Sequence, residues 1–308
     1  MKVLSTSELL LVESIGDART LEEIEDACAA FRATAGGASR DQATLTAAIA
    51  PKAYAYLRRL TTHPAFLAWL DTYFGRRPGA YRSLQQRPGF IYYPSLPPQP
   101  WFDAARLPAM DALRPLIADV AAELRTWLHG ERTFSPYVAS EARASSLWRE
   151  LAGNPAWSSI HLIRGGKPDT QLLEQLPRAS DLLRRAPLAQ LPPHAPEAFV
   201  SRLQPGVELP SHYGVSNIKL TAHLPVDIPE SGCSLTVAGE SRSWPEGDFM
   251  IFDDSFLHSA ANRSNRARTV LIFDIDHPGL DAEERAALAH AIRAMDVLNA
   301  TTRGVAAG

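Results

Sequence analysis

The stretch LPSHYGVSNIKLTAHLPV, residues 209–226, carries the pattern that decides the fold. It begins as a loop-like segment and becomes a run in which polar and apolar residues alternate, which is the period of a half-buried β-strand. In that run Lys219, Thr221 and His223 share one face, opposite an apolar face. The sequence therefore predicts a strand whose polar side is able to line a site.

The period of two extends from residue 197 to residue 276. Turn sequences rich in Pro and Gly separate the short alternating runs, a spacing typical of an antiparallel sandwich or barrel. We predict six strands here, in the segments EAFVSRL, NIKLTAHLPV, CSLTVAG, ESRSW, DFMIFD and ARTVLIFDID. Together they indicate an antiparallel, jelly-roll-like double sheet.

Helical periodicity dominates the first third of the chain. The segments LEEIEDACAAFRATA and LTAAIAPKAYAYLRRLTTHPAFLAWLDTYFG have apolar residues at spacings of three and four. We expect Pro51 and Pro64 to begin or break helices there. A connector rich in proline and aromatic residues follows at 86–108, which places a domain boundary near residue 85.

Further helices flank the predicted sheet. AMDALRPLIADVAAELRTWLHG is predicted to form one amphipathic helix that ends at Gly130. TQLLEQLPRASDLLRRAP predicts two short helices, and WSSIHLI a strand. A C-terminal helix is expected to begin near Asp281 and to end in a frayed tail. The predicted organisation is a helical region over 1–85, a domain over 86–285 with its β core at about 155–280, and a helix and tail over 281–308.

Composition limits the classes of function. The formal charge is −3, there are only four lysines, and no basic run is long enough to follow a phosphate backbone, so we expect no nucleic-acid partner. The two cysteines exclude a disulfide framework. The N-terminus lacks the apolar core of a signal peptide, and no apolar run reaches membrane-span length. We therefore expect a cytoplasmic protein without a membrane partner.

Three of the nine histidines flank the predicted strands: His212 in the turn before NIKLTAHLPV, His223 within it, and His258 in the turn after DFMIFD. With Arg268 they can meet at the mouth of a barrel. Imidazoles hold transition metals, and arginine holds carboxylates. On spacing alone, the alternative is that each histidine is an ordinary half-buried polar residue, which is also our interpretation of the other six.

The run SRLQPGVELPSHYGVSNIKLTAHLPV, followed by SWPEGDFMIFDDSFLHSAANRSNRARTVLIFDIDHPGL, resembles the aspartyl/asparaginyl β-hydroxylase family of Fe(II)- and 2-oxoglutarate-dependent oxygenases. The likeness covers roughly residues 155–285, and the connector resembles bacterial stand-alone members. It implies an α+β fold with a double-stranded β-helix, cupin-like core. It also implies a dioxygenase that uses O2 to hydroxylate an unactivated carbon, with succinate and CO2 as co-products.

The resemblance assigns roles residue by residue. The two iron-binding histidines of the family fall on His212 and His258, and its 2-oxoglutarate residues fall on Ser201, His223 and Arg268. Most related oxygenases carry an acidic ligand two residues after the first histidine, where this sequence has Gly214. The family shares that departure. Asp253 and Asp254, close to His258, are interpreted as turn residues that cap backbone amides.

The substrate side is predicted less directly. Trp157, Arg164, Lys167, Lys219 and Thr221 fall on substrate-facing positions, and Thr221 stands where the animal enzymes carry a carboxylate-binding arginine. Because threonine has no charge, we expect a substrate other than a folded growth-factor-like domain: an amino acid, a peptide or a natural-product intermediate. Two alternatives stay open: a non-catalytic metal- or carboxylate-binding jelly-roll protein, and an interaction protein that acts through its N-terminal helices. The sequence does not predict the oligomeric state.

Overall fold

The structure, a computed structural model, describes residues 4–34 and 41–303, without the side chains at positions 143 and 144. Its helices are α1 (Thr6–Asp17), α2 (Leu21–Thr34), α3 (Gln42–Leu57), α4 (Pro64–Tyr73), α5 (Pro108–Asp111), α6 (Ile117–Leu128), α7 (Thr170–Glu174), α8 (Pro177–Arg185) and α9 (Ala282–Arg303). Its strands are β1 (Trp101–Phe102), β2 (Ser135–Pro136), β3 (Trp157–Arg164), β4 (Lys167–Pro168), β5 (Ala198–Leu203), β6 (Val207–His212), β7 (Lys219–Asp227), β8 (Cys233–Val237), β9 (Glu240–Arg242), β10 (Met250–Phe252), β11 (His258–Asn262) and β12 (Arg268–Asp276).

The chain divides into two compact units. One contains residues 1–80, 191–193 and 280–308, and the other contains residues 81–190 and 194–279. The predicted boundary at residue 85 lies close to the first division. The C-terminal helix, predicted as a separate element, is grouped instead with the N-terminal helices.

The helical unit buries the apolar faces of α1 to α4 and of α9. Helix α9 contacts α2, α3 and α4, and buries Leu288, Ile292 and Met295. Its predicted start is confirmed, because Asp281 accepts a hydrogen bond from the Glu284 N–H at 2.8 Å and so caps the helix. Residues 300–303, predicted as frayed tail, are helical, and the tail beyond them lies outside the described residues.

Two antiparallel sheets form the other unit. The larger has the strand order β1-β10-β7-β12-β5-β3-β2, with β4 paired to β3, and the smaller has the order β6-β11-β8-β9. These sheets face each other as a double-stranded β-helix, which confirms the predicted α+β, cupin-like fold. All six predicted strands are present, as are the predicted strand at β3 and the helix pair α7 and α8.

The large sheet has an apolar outer face, covered by helices, and a polar inner face. Leu220, Ala222 and Leu224 of β7 pack in one apolar cluster with α6 and α8, as the alternation predicts. The opposite face of β7 turns Lys219, Thr221 and His223 toward the cavity described below. Helix packing on one side thus fixes which side chains reach the interior on the other.

Two helix predictions are wrong because the effect of a proline on the helix was misjudged. Residues 109–130 do not form one helix: Pro115 lies in a 3-10 turn at 114–116, and α6 begins only at Ile117. A proline ring clashes with the preceding turn, so an interruption at this position is expected. Pro51, by contrast, lies inside α3 without ending it, whereas Pro64 begins α4 as predicted.

No helix among the described residues combines the length and the apolar character needed to cross a lipid bilayer.

Candidate active site

A cavity of about 520 Å³ opens between the inner faces of the two sheets. Its lining includes eight of the ten predicted site residues: Trp157, Ser201, His212, Lys219, Thr221, His223, His258 and Arg268. Arg164 and Lys167 are not among the lining residues. They sit on the exposed β3–β4 hairpin, where they are cross-strand partners.

His212 and His258 lie in strands rather than in the turns predicted for them. His212 ends β6, His258 begins β11, and the two residues are cross-strand partners, with ring centroids 4.1 Å apart. The Nδ1 atom of His212 is 2.7 Å from the Pro210 carbonyl oxygen, and that of His258 is 2.9 Å from the Phe256 carbonyl oxygen. A carbonyl accepts only from N–H, so both rings carry their proton on Nδ1, which leaves each Nε2 lone pair available to a metal.

Both imidazoles are neutral at physiological pH. Burial and the neighbouring His258 lower the pKa of His212 to about 4. Burial also lowers the pKa of His258, although the carboxylate of Asp254 opposes this shift. Neutral imidazole is the form that binds a metal, so the environment prepares both rings as ligands.

The carboxylate of Asp254 occupies the space that a side chain at Gly214 would need. A Cβ atom added at Gly214 would overlap this carboxylate. Within the described part of the chain, no third ligand-bearing residue joins the two histidines in a group whose ligand atoms all lie within 4.8 Å. The packing around residue 214 therefore leaves no space for an acidic side chain at this position.

Asp253 and Asp254 do not share one role. Asp253 accepts from the Ser255 N–H at 2.9 Å and from the Gln86 side chain at 2.8 Å, as expected of a turn residue. Asp254 instead faces the cavity, where its Oδ2 is 3.1 Å from the Lys219 ammonium and its buried Oδ1 has no hydrogen-bond partner. The turn-capping prediction therefore fits Asp253 and is wrong for the side chain of Asp254.

Arg268 is a buried cation for which the described residues supply no counter-ion. The residue is 2% exposed, and its Nε and Nη1 atoms have no hydrogen-bond partner. Its guanidinium lies 4.7 Å above the Trp244 ring, and burial lowers its pKa to about 10. An unpaired buried charge costs several kcal/mol, so the site is arranged for an anion that the described part of the chain does not supply.

His223 is fixed next to this arginine by Trp244. The indole N–H of Trp244 donates to Nδ1 of His223 at 3.2 Å, and the two rings are parallel within 3°. Burial and Arg268 lower the pKa of His223, which is therefore neutral and carries its proton on Nε2. His223 thus presents a donor to the cavity. On β5, Ser201 accepts from the Trp157 indole at 3.2 Å, which holds its hydroxyl in place.

Lys219 is not available as a free positive charge. Its ammonium lies 2.8 Å from Asp274 Oδ1 and 3.1 Å from Asp254 Oδ2, and its side chain is 6% exposed. Burial opposes the charged form, but the two carboxylates outweigh burial and raise the pKa of Lys219. Lys219, predicted to contact the substrate as a cation, is therefore already paired with two carboxylates of the protein. Thr221 keeps a buried hydroxyl with no hydrogen-bond partner.

Several lining residues were not predicted from the sequence. They are Tyr137, Trp148, Glu197, Phe199 and Phe252. Tyr137 and Trp148 come from an irregular region before β3, and Trp148 meets His212 edge-on at 4.8 Å. No spacing in the sequence links such residues to the histidines, so the fold alone brings them together.

A second group of ligand atoms lies in the helical unit. His63, Asp281 and Glu284 bring one ligand atom each within 4.8 Å of the others. Asp281 and Glu284 also exchange hydrogen bonds with each other's backbone N–H at the start of α9. This reciprocal capping accounts for the two carboxylates, and the interpretation of His63 as a structural residue is kept.

The residues of the cavity fit the groups implied by the sequence. Two neutral imidazoles with free Nε2 atoms suit a divalent transition metal and leave positions for other ligands. The orphaned guanidinium, with the donor of His223 and the hydroxyl of Ser201 nearby, suits a carboxylate cosubstrate. Fold and site together define a cupin-like barrel with a candidate metal centre and an anion pocket.

Comparison with known proteins gives the family. A profile of the family described as Aspartyl/Asparaginyl beta-hydroxylase matches residues 117–278, more than half of the 308 residues. The chain therefore belongs to the aspartyl/asparaginyl β-hydroxylase family.

Individual relatives cover part of each chain. Human Aspartate beta-hydroxylase domain-containing protein 1 is 31% identical over 222 residues, which are 70% of this chain and 53% of that protein. Human Aspartate beta-hydroxylase domain-containing protein 2 is 29% identical over 206 residues, 66% of this chain and 54% of that protein. The chain thus spans about half the length of these relatives. Among solved structures, a Pseudomonas putida prolyl-4-hydroxylase matches with 18% identity and a TM-score of 0.31, covering 58% of this chain and 94% of that one.

Proposed function

We propose that this protein is an Fe(II)- and 2-oxoglutarate-dependent dioxygenase that hydroxylates an unactivated carbon of a small molecule or peptide. Membership of a family of hydroxylases supports the reaction class. The observation that carries the cosubstrate is Arg268, a buried guanidinium with unpaired N–H groups in the same cavity as two neutral imidazoles. A protein that only bound a metal would gain nothing from that buried charge.

Each residue has a defined task in this proposal. His212 and His258 hold the metal through Nε2, and their Nδ1–H bonds to backbone carbonyls fix the direction of both rings. Arg268 pairs with the distal carboxylate of 2-oxoglutarate, while His223 and Ser201 bind around its carboxylate ends. When bound, Fe(II) and 2-oxoglutarate supply the oxidising chemistry with O2, and succinate and CO2 are the co-products.

We expect the aromatic lining to limit the access of water to the reacting carbon. Trp148, Trp157 and Phe252 surround the imidazole pair or pack beside it. A dry cavity strengthens charged interactions and protects reactive species from side reactions. Its volume of about 520 Å³ holds 2-oxoglutarate together with part of a substrate, such as an amino acid, a peptide side chain or a natural-product intermediate.

Coupled product formation tests the proposal. Protein supplied with Fe(II), 2-oxoglutarate and O2 is expected to release succinate, and His212→Ala or His258→Ala should abolish this release. His129→Ala is the matched control, because His129 is an exposed residue at the end of α6 and away from the cavity. Equal succinate release by wild type and both cavity variants would contradict the proposal.

A further inference from the structure

The part of the cavity left for substrate is acidic. Once the two metal-binding histidines and the cosubstrate residues are set aside, the charged lining consists of Glu197, Asp254, Asp274 and Lys219. Among the side chains that the structure describes, three carboxylates face one ammonium, which leaves two formal negative charges in excess. An anionic substrate group entering this region would be repelled.

The one lysine cannot reverse this balance. Lys219 is held by Asp274 and Asp254 at 2.8 Å and 3.1 Å, so a substrate carboxylate would have to compete with two fixed internal carboxylates. The neighbouring Thr221 offers only a hydroxyl. Asp254 keeps one buried carboxylate oxygen without a hydrogen-bond partner, and this oxygen can accept a hydrogen bond from a ligand.

Aromatic rings line the same region. Tyr137 stacks on Trp157 with centroids 4.0 Å apart, and Phe199 lies 5.2 Å from Tyr137. Tyr137 is 39% exposed as a residue and lines the cavity together with Asp274 and Glu197; desolvation of its hydroxyl and these two carboxylates raise its pKa to about 12. Aromatic faces beside carboxylates attract cations, above all alkylammonium groups.

We propose, on the basis of the function proposed above, that the substrate carries an alkylammonium group, and that this group binds between Glu197 and the ring pair of Tyr137 and Trp157. Glu197 is 28% exposed and lines the cavity, so a ligand can reach its carboxylate. Its carboxylate accepts from the Gly165 N–H and lies 3.1 Å from His161 Nδ1, and these two contacts fix its position. The proposed substrate class thus differs from the aspartyl and asparaginyl side chains after which the family is named, neither of which carries a cation.

Three probes that differ only in their head group test this inference: hexylammonium, hexanol and hexanoate. Their binding to the 308-residue protein is followed by tryptophan fluorescence, once without 2-oxoglutarate and once at a saturating concentration, after binding of 2-oxoglutarate has itself been measured. Hexylammonium is expected to bind at least tenfold more tightly than hexanol, and this advantage should shrink as salt increases. Absence of 2-oxoglutarate binding would count against the proposed function alone, because the comparison of hexylammonium with hexanol does not depend on it.

Variants of Glu197 test whether this residue causes the preference for hexylammonium. Glu197→Gln keeps an oxygen for the Gly165 N–H, so the local fold is retained, and it should lower hexylammonium affinity roughly tenfold without changing hexanol affinity. Glu197→Asp keeps the charge and should retain part of the preference. Glu208→Gln is the matched control, because Glu208 pairs with Arg263 on the exposed side of β6. Equal binding of the three probes, tighter binding of hexanoate than of hexylammonium, no binding of any probe, or an unchanged preference in Glu197→Gln would overturn the inference.

Discussion

At the scale of single residues, Arg268 is predicted to contribute to 2-oxoglutarate binding but not to the stability of the fold. Its guanidinium is buried and unpaired in the ligand-free protein, so Arg268→Met should leave the free energy of unfolding unchanged or raise it. The same change should weaken 2-oxoglutarate binding about ten- to a hundredfold, through loss of a charge-assisted contact worth roughly 1.5–3 kcal/mol. Urea unfolding and 2-oxoglutarate titration measure the two effects.

The control for this prediction is Arg266→Met. Arg266 is exposed and pairs with Asp227 at the surface, so neither quantity should change by much. A large loss of stability in Arg268→Met, with 2-oxoglutarate binding reduced only in proportion, would mean that the arginine is structural.

His277 gives the barrel a dependence on pH that is independent of the candidate metal centre. Burial lowers its pKa to about 4, below its usual value near 6.5. Because the unfolded chain binds the proton more readily, stability is complete above pH 6.5 and is lost as pH falls toward 4, by up to ~3 kcal/mol. In His277→Asn, urea unfolding at pH 7.5 and pH 5.0 should differ less than in wild type. An identical pH dependence in both proteins would contradict this assignment.

The sequence predicted the residues that carry a family pattern and missed those that do not. Ser201, His212, His223, His258 and Arg268 were all found by motif, and the structure brings them to one cavity. Trp244, which orients His223 and stacks under Arg268, was seen only as a strand residue. Its role depends on a contact across 21 residues of chain, and no periodicity encodes such a contact.

At the scale of elements, five strands were not predicted: the three two-residue strands β1, β2 and β4, and the longer strands β6 and β11, for which the reasons can be identified. Strand β6 contains Pro210, which argues against a strand, yet β6 is an edge strand of the small sheet, where a missing N–H is tolerated. Strand β11, HSAAN, has small residues and no β-branched or aromatic side chain. Tertiary pairing overrides these weak propensities, and it is this pairing that makes His212 and His258 neighbours.

The turn after β6 makes a prediction about packing. Gly214→Ala places a methyl group against the Asp254 carboxylate, which must move and give up its contact with Lys219. We expect a loss of about 1–3 kcal/mol in stability. Adding Asp254→Ala should cost less in the Gly214→Ala background than in wild type, because the overlap is then already relieved. Strictly additive losses of stability in this double-mutant cycle would contradict the packing argument.

At the scale of the whole molecule, the organisation into units was only partly predictable. The helical character of residues 1–80 and the β-rich core were visible as two different periods in the sequence. The grouping of α9 with α2, α3 and α4 was not, because an amphipathic face does not reveal its partner. The acidic part of the cavity lining was likewise hidden, since Glu197, Asp254 and Asp274 belong to separate segments of chain.

The central claim is that one cavity binds a metal and 2-oxoglutarate together, and an anaerobic titration tests it most directly. Protein titrated with Fe(II) and 2-oxoglutarate without O2 should develop the weak visible charge-transfer band of a chelated 2-oxo acid. His258→Ala should abolish the band, Arg268→Met should shift its appearance to ten- to a hundredfold more 2-oxoglutarate, and His129→Ala should leave it unchanged. A folded wild-type protein that shows no band at saturating Fe(II) and 2-oxoglutarate would contradict the account.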